Sequence, residues 1–301
     1  MAKIPGLAIA PSDNPFGFQF VSKAYLDTYP FIDPTKGDAS GLNVLVTGSS
    51  KGIGRAAAIS LARAGASGIA LLARSDLDQV AEEVLEAAKQ AGRKEPKLLK
   101  LRVDICDPAA VGEAIKDVET HFQTLDVLVN NAGRLEAWVP LAETDVDDWW
   151  ATWELNVKGT YVVTRAALPL VLKSTQKTIL TVSSGGALAT FPGASAYQST
   201  KTMQLRLTDF LMAEYRDQGL IAYAIHPCGA KTELALNMPT SRHDVLTQTV
   251  ELAGDTIAWL TRERREWLAG RFVYGPGSME ELLAKKDEIV EKDLLKLKLV
   301  I

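Results

Sequence analysis

Tyr197 and Lys201 stand four residues apart in Tyr197-Gln198-Ser199-Thr200-Lys201, at the start of a stretch with helical periodicity. Positions four apart share one face of a helix, so the phenol and the ammonium lie side by side as a candidate acid/base pair. A phenol titrates near pH 10 and must be eased by roughly three units, about 4 kcal/mol, to exchange a proton near neutrality. One positive charge about 4 Å away supplies roughly that at an effective dielectric near 20, but only about 1 kcal/mol in bulk water. The pair therefore predicts a site from which water is largely excluded. Taken alone, Tyr-x-x-x-Lys also describes a surface cation beside an aromatic ring, so its context has to decide.

Part of that context is Thr47-Gly48-Ser49-Ser50-Lys51-Gly52-Ile53-Gly54, which follows the apolar run 42–46 and opens the alanine-rich stretch 55–64. Three glycines at a strand-to-helix turn let the backbone turn tightly and approach a pyrophosphate closely. The free N–H groups at the start of the helix, with its dipole, favour negative charge there. The spacing is Gly-x-x-x-Gly-x-Gly, not the G-x-G-x-x-G of the commonest dinucleotide fingerprint. The alternative is a turn that only packs a helix closely on a strand.

The elements that must hold these residues are legible as an alternation. Short apolar runs at 42–47, 68–73, 98–103, 125–130, 178–182, 220–226 and 271–274 are separated by helical stretches near 55–65, 76–91, 108–122, 147–173, 197–217 and 245–262. Continuous apolar strands between helices are covered on both faces, which predicts an α/β fold: one doubly wound Rossmann-type domain with a mostly parallel seven-stranded sheet. Ligands then bind beyond the carboxyl ends of the strands. Residues 1–40, rich in Pro, Gly, Phe and Tyr, are too aromatic for a free tail. Phe16, Phe18, Phe20, Tyr25, Tyr29 and Phe31 predict an extension that packs on the domain or on a partner subunit. The catalytic domain spans 41–278, and 279–301 reads as a surface-packing helical tail rather than a membrane-surface helix.

Bulk properties exclude several classes of function. A chain of 301 residues, 47% hydrophobic, can bury one large core, and its net charge of −4 without a Lys/Arg block offers no footprint for nucleic acid. Cys106 and Cys228 do not make a disulfide framework, and His121, His226 and His243 are scattered with no Cys-x-x-Cys, so no metal site is expected. The residues point to a reducing, cytoplasmic compartment. No apolar leader or stretch of about 18 apolar residues suggests secretion or membrane spanning.

These motifs together resemble the short-chain dehydrogenase/reductase family in its form of roughly 250 residues, over about 40–275. The resemblance rests on the glycine turn Gly48/Gly52/Gly54, on Asn130-Asn131-Ala132-Gly133 after strand four and on Asn156 in Leu155-Asn156-Val157. It rests also on Ser183-Ser184 after strand five and on Tyr197/Lys201. It implies that Tyr197 exchanges the proton with the substrate oxygen and that Lys201 lowers its pKa and holds the nicotinamide ribose. Ser184, thirteen residues before the tyrosine, hydrogen-bonds the reacting oxygen, and Asn156 anchors a water relay to Lys201. Ser183 serves the strand end. It further implies a cofactor wall of Gly48, Ser50, Lys51, Gly52, Ile53 and Gly54, then Asp104 and Ile105 at the adenine, and Asn131, Ala132 and Gly133 along the adenosine. Pro227, Ala230 and Thr232 complete the wall, Thr232 bonding the nicotinamide amide. The bland alternatives are a turn cap for Ser184, a satisfied buried amide for Asn156 and a helix N-cap for Asp104.

Cofactor choice turns on charge at the end of strand two. An acid there accepts from a ribose 2′-hydroxyl and repels a 2′-phosphate. Leu72-Ala73-Arg74-Ser75 carries none, and Lys51 stands just before the second turn glycine, so the expectation is NADP(H). Pro227-Cys228-Gly229-Ala230-Lys231-Thr232 departs from the family, which usually has glycine directly after the proline. Cys228 is then either a reactive thiol or a small buried hydrophobe. Trp138, Leu234, Leu236, Met238 and Pro239 are expected to flank an apolar pocket for a bulky carbonyl or alcohol substrate, while Trp149, Trp150 and Trp153 belong to the core or a helix interface. The resemblance implies a homodimer or homotetramer, and the two chain ends resemble fungal members, some tied to secondary metabolism. Two other functions fit the same residues: redox-neutral epimerisation, dehydration or cyclisation with the same tetrad, and a non-catalytic NADP(H) sensor.

Overall fold

In a computed structural model, which describes residues 19–299, seven strands form one parallel sheet in the order β3-β2-β1-β4-β5-β6-β7. They are β1 Asn43–Thr47, β2 Gly68–Ala73, β3 Lys97–Arg102, β4 Val127–Asn130, β5 Thr178–Val182, β6 Ile221–His226 and β7 Phe272–Tyr274. The apolar runs reflect double coverage. Along β1, Val44 and Val46 face a core completed by α1 (Gly52–Arg63), α2 (Asp78–Gln90) and α7 (Val250–Thr261), while Leu45 faces the other layer. That layer is built from α3 (Pro108–Phe122), α5 (Thr160–Lys173) and α6 (Ser195–Tyr215). The same alternation holds for Ile69 and Leu71 against Ala70 and Leu72 in β2. β3 is the exposed edge and carries Lys97, Lys100 and Arg102, charges that discourage a further strand from pairing there.

The chain reverses direction across the sheet between β1 and β4, and the crevice at that switch point is where a doubly wound sheet takes its ligand. Two helices differ from the sequence expectation. The stretch 147–173 is not one helix: α4 (Val146–Trp153) and α5 are joined by a wide π turn, Glu154–Gly159. That turn lets Gly159 approach Ile105, whose Cδ1 lies 2.6 Å from where a Cβ would stand. At 245–262, Val245 ends a short 3-10 turn, Thr240–Val245, residues 246–249 are not helical, and α7 starts only at Val250, capped by Thr249.

The chain ends meet each other on the domain. Tyr25 N donates to Pro276 O at 2.8 Å and Ser278 N to Lys23 O at 3.0 Å, and the Tyr29 hydroxyl accepts from Met279 N at 2.7 Å. Phe16 and Phe18, part of the expected aromatic extension, lie outside the described residues. The tail is helical over α8 (Met279–Ala284) and α9 (Lys286–Glu291), and the described residues beyond α9, up to 299, are not helical. Its later residues turn back so that Leu295 O accepts from Phe272 N at 2.8 Å beside β7. Met279, Leu282 and Ile289 are buried. At about 1.5–3 kcal/mol per buried side chain, deleting residues 279–301 should lower Tm by roughly 10 °C or more without changing partition onto lipid vesicles. An unchanged Tm in a scanning calorimeter, together with lost vesicle binding, would show that the tail serves a membrane surface instead.

Candidate active site

Every element that ends at the switch point contributes to one cavity of about 620 Å3. Its wall includes Gly48, Ser50, Lys51, Gly52, Ile53, Arg74, Asp104, Ile105, Asn131, Ala132, Gly133, Ser184, Tyr197, Lys201, Pro227, Ala230 and Thr232. Thus residues spread over some 180 positions of chain converge because each follows the carboxyl end of a parallel strand. Asn156 is not in the wall. It is fully buried behind it, in the π turn.

The glycine turn fits the close approach its spacing suggested. Gly48 and Gly52 have positive φ, 65° and 57°, and a Cβ on Gly54 would stand 2.4 Å from both Gly48 O and Asn131 Nδ2. Asn131 holds this turn from β4, with Nδ2 donating to Thr47 O at 2.9 Å and to Gly48 O at 3.3 Å. Thr47 Oγ1 accepts in return from Asn131 N and Ala132 N. The Gly54 contacts are backbone and a fastened amide, so Gly54→Ala must displace the turn. We expect it to weaken cofactor binding at least about tenfold and to lower Tm, as read by fluorescence titration and calorimetry. A Kd equal to that of the unaltered protein would mean that the turn does not hold the cofactor.

At the far end, Lys51 pairs with Glu233 at 2.5 Å and Arg74 with Asp104 at 3.6 Å, and all four side chains are more than two-fifths exposed. Such exposed pairs contribute at most about 1 kcal/mol, so both cations can exchange their carboxylates for a stronger anion. Asp104 is not the cap of α3. Asp107 caps that helix, accepting from Ala109 N and Ala110 N, and Asp104 receives Cys106 N at 2.9 Å.

The reacting end is built on α6. Its N-terminus is capped by the buried Glu136, whose Oε1 accepts from Tyr197 N at 2.9 Å. Ser183 donates to Lys201 O at 2.9 Å and so ties α6 to the end of β5. Ser184, the next residue, accepts from Gly186 N at 3.0 Å, and its hydroxyl lies on the side of the Tyr197 phenol, whose ionisation it eases. The Lys201 ammonium lies 5.6 Å from the centre of the Tyr197 ring and donates to Val182 O at 2.9 Å and Gln204 Oε1 at 3.2 Å. Asn156 spends its side chain on structure: Oδ1 accepts from Arg134 N, and Nδ2 donates to Arg134 O and Thr200 Oγ1. It thereby fastens the segment after β4 to α6.

The electrostatics of the cofactor-free site differ from the simple phenol–ammonium expectation. Burial pushes the Tyr197 phenol up to about 12, against a lowering by the Ser184 hydroxyl and with a further push from Glu136. Burial lowers Lys201 to about 7. The same dehydration that was expected to strengthen the pair also makes each partner's own charge costly, and here that cost is larger. Cys228 is a buried neighbour of Ala230 and Ala253, its thiol raised to about 12 by burial, and it bonds Thr249 O at 3.5 Å. It therefore behaves as a small apolar side chain, and its raised pKa argues against the reactive-thiol alternative.

On the substrate side, Leu135, Leu234, Met238 and Leu246 line the cavity. Leu236 is exposed, and Trp138 stacks on Phe191 with ring centres 6.3 Å apart, outside the cavity wall. The Arg242 guanidinium lies 4.2 Å from the Phe191 ring centre and 5.6 Å from that of Trp138, joining three segments of the chain. Trp149 and Trp153 stack at 5.6 Å and Trp149 Nε1 donates to Ser195 Oγ, but Trp150 points outward and is exposed, unlike the expectation for a core residue. Four contributors escaped the sequence reading: Thr47, Glu136, Gln204 and His226. His226 lines the cavity, accepts from Gly185 N at 3.1 Å and is held down to about 4 by burial. For Thr47 and His226 the available signal was a polar residue at the end of an otherwise apolar strand, while Glu136 and Gln204 carried none. Among the described residues no cluster of three His, Cys, Asp or Glu could hold a metal ion, and no helix is long and apolar enough to cross a membrane.

A parallel seven-stranded sheet with a glycine turn after β1 and a Ser, Tyr and Lys at the ends of β5 and α6 defines a nucleotide-dependent oxidoreductase of the Rossmann type. The short chain dehydrogenase profile matches residues 42–242, and the chain belongs to that family. It is 53% identical over 285 residues, 95% of this chain and 98% of the relative, to the short chain dehydrogenase mpl6 of the fungus Monascus purpureus. A short chain dehydrogenase from Shigella flexneri 2A, solved in complex with NADP, superposes with a TM-score of 0.68 at 27% identity over 78% of this chain and 97% of that one. An NADH-dependent reductase complexed with NAD shares the fold, with a TM-score of 0.65 at 22% identity over 81% and 96%.

Proposed function

We propose that this protein is an NADP(H)-dependent oxidoreductase acting on the carbonyl or alcohol carbon of a bulky apolar small molecule. The observation that carries the reading is a single cavity whose wall holds Ser184, Tyr197 and Lys201 together with the glycine turn, Lys51 and Arg74. When bound, NADPH supplies the hydride. Tyr197 gives the proton to the substrate oxygen, and Ser184, whose hydroxyl eases the ionisation of that phenol, holds the same oxygen. Lys201 in its charged form favours the phenolate that results and binds the ribose. Lys51 and Arg74 receive the 2′-phosphate in place of Glu233 and Asp104. Leu135, Leu234, Met238 and Leu246 exclude water and select an apolar substrate. Residues 19–40 and the tail brace the domain, which works as a homodimer or homotetramer in a reducing, cytoplasmic setting.

The test is NADPH oxidation against a panel of bulky ketones, quinones and imines, followed by absorbance. Turnover with an apolar carbonyl, and slower turnover with NADH, is the expected result. A chain that binds NADPH but oxidises it with none of these would be a sensor. A product isomeric with its substrate, and no net NADPH consumed, would point to epimerisation or cyclisation.

A further inference from the structure

Gln204 sits one helical turn beyond Lys201 on α6, is 1% exposed, and uses both ends of its side-chain amide. Nε2 donates to Asn156 O at 3.0 Å and to Thr160 Oγ1 at 3.3 Å, and Oε1 accepts from Lys201 Nζ at 3.2 Å. The orientation of that amide follows from its partners. A carbonyl can only accept and an ammonium can only donate, so the NH2 group must face Asn156 and the oxygen must face Lys201. The widened turn at Glu154–Gly159 is what brings the Asn156 carbonyl within reach.

Lys201 is otherwise poorly supported for a charged group. Tyr197 on its own helix is the titratable side chain beside it. β5 offers the Val182 carbonyl, and after β4 a Cβ on Gly133 would stand 3.7 Å from both Lys201 Nζ and Asn156 Oδ1, groups that bring no negative charge. No carboxylate offsets its burial, which alone lowers its pKa. Of its two hydrogen-bond acceptors, one is main chain and cannot be varied by sequence. The other is Gln204.

We propose that Gln204 is a positioning residue for the proposed reaction: clamped by the Asn156 carbonyl and Thr160, its amide oxygen holds the Lys201 ammonium in place and keeps it charged. The inference rests on the reading of Tyr197 and Lys201 as the reacting pair. Removing the acceptor destabilises the charged form, so the pKa of Lys201 falls. Hydrogen bonds to charged groups are strong enough to move it by about one unit or more.

The experiment is the pH profile of kcat/KM for NADPH, which reports the free enzyme. It compares the unaltered protein with Gln204→Met, which keeps the volume, and with Gln204→Leu, which covers the case in which one variant does not fold. The unaltered protein should lose activity as pH rises through the pKa of Lys201. In the variants this limb should lie about one pH unit lower, so that kcat/KM is down about tenfold at pH 8 and within about twofold at pH 5.5. A loss equal at both pH values in a folded variant, or no loss at all, overturns the role of Gln204. If Tyr197→Phe retains turnover, the reading of the site itself fails. An inactive Tyr197→Phe with an unmoved limb in the Gln204 variants removes Gln204 alone.

Discussion

Replacing Tyr197 by Phe should reduce kcat by about 10²–10⁴-fold while leaving the Kd for NADPH within about twofold. The change deletes one hydroxyl, the proposed proton donor, but it keeps the ring that packs at the start of α6. Nothing in the glycine turn or around Lys51 and Arg74 depends on that hydroxyl, so cofactor binding should persist. Lys201→Ala should behave differently and damage both quantities, because in the proposed function the ammonium serves the phenol and the ribose. Steady-state kinetics with a fluorescence titration of NADPH separates the two. More than about a tenth of the original kcat in Tyr197→Phe would take this tyrosine out of the proton-donating role.

The second large effect is expected at the other end of the cavity. Arg74→Asp should lower the ratio of kcat/KM for NADPH over NADH by about a hundredfold or more, erasing the preference or reversing it. It exchanges an attractive guanidinium for a carboxylate that repels a 2′-phosphate and accepts from a 2′-hydroxyl. A charge-assisted bond to phosphate contributes about 1.5–3 kcal/mol, one to two decades, and the new repulsion adds to it. Lys51→Ala should erode the ratio by about tenfold, since only attraction is lost. Both cations stand in exposed ion pairs, with Asp104 and with Glu233, so neither substitution leaves a buried charge unpaired and neither should cost much stability. If both variants keep the original ratio, the charge at the end of β2 does not choose the cofactor.

The alternation of strands and helices, the sheet and its winding were legible because burial on both faces leaves a plain trace: short continuous apolar runs such as 68–73 between amphipathic stretches. The candidate site was legible for a related reason. In a parallel sheet the residues after each strand meet at one edge, so motifs that follow β1, β4, β5 and β6 share a cavity once the fold is known. Local spacing sufficed for the glycine turn, for Tyr197 beside Lys201, and for the absence of an acid after β2.

What spacing could not decide was anything set by partners distant in sequence. Asn156 lies behind the wall because a π turn, invisible in the periodicity of 147–173, rotates it toward Arg134 and Thr200. Gln204, inside a helix that pattern alone marks as ordinary, became a partner of Lys201 only when Asn156 O arrived to orient its amide. The pKa values of Tyr197 and Lys201 moved opposite to the simple pair expectation, since desolvation depends on the whole packed surround and no four-residue interval encodes it. The chain by itself determined which residues could do chemistry and at which edge of the sheet they gather. Only the tertiary structure decided which of them face the cavity, which are spent on holding it together, and how far burial outweighs charge, because those are sums over neighbours that the fold alone brings within contact.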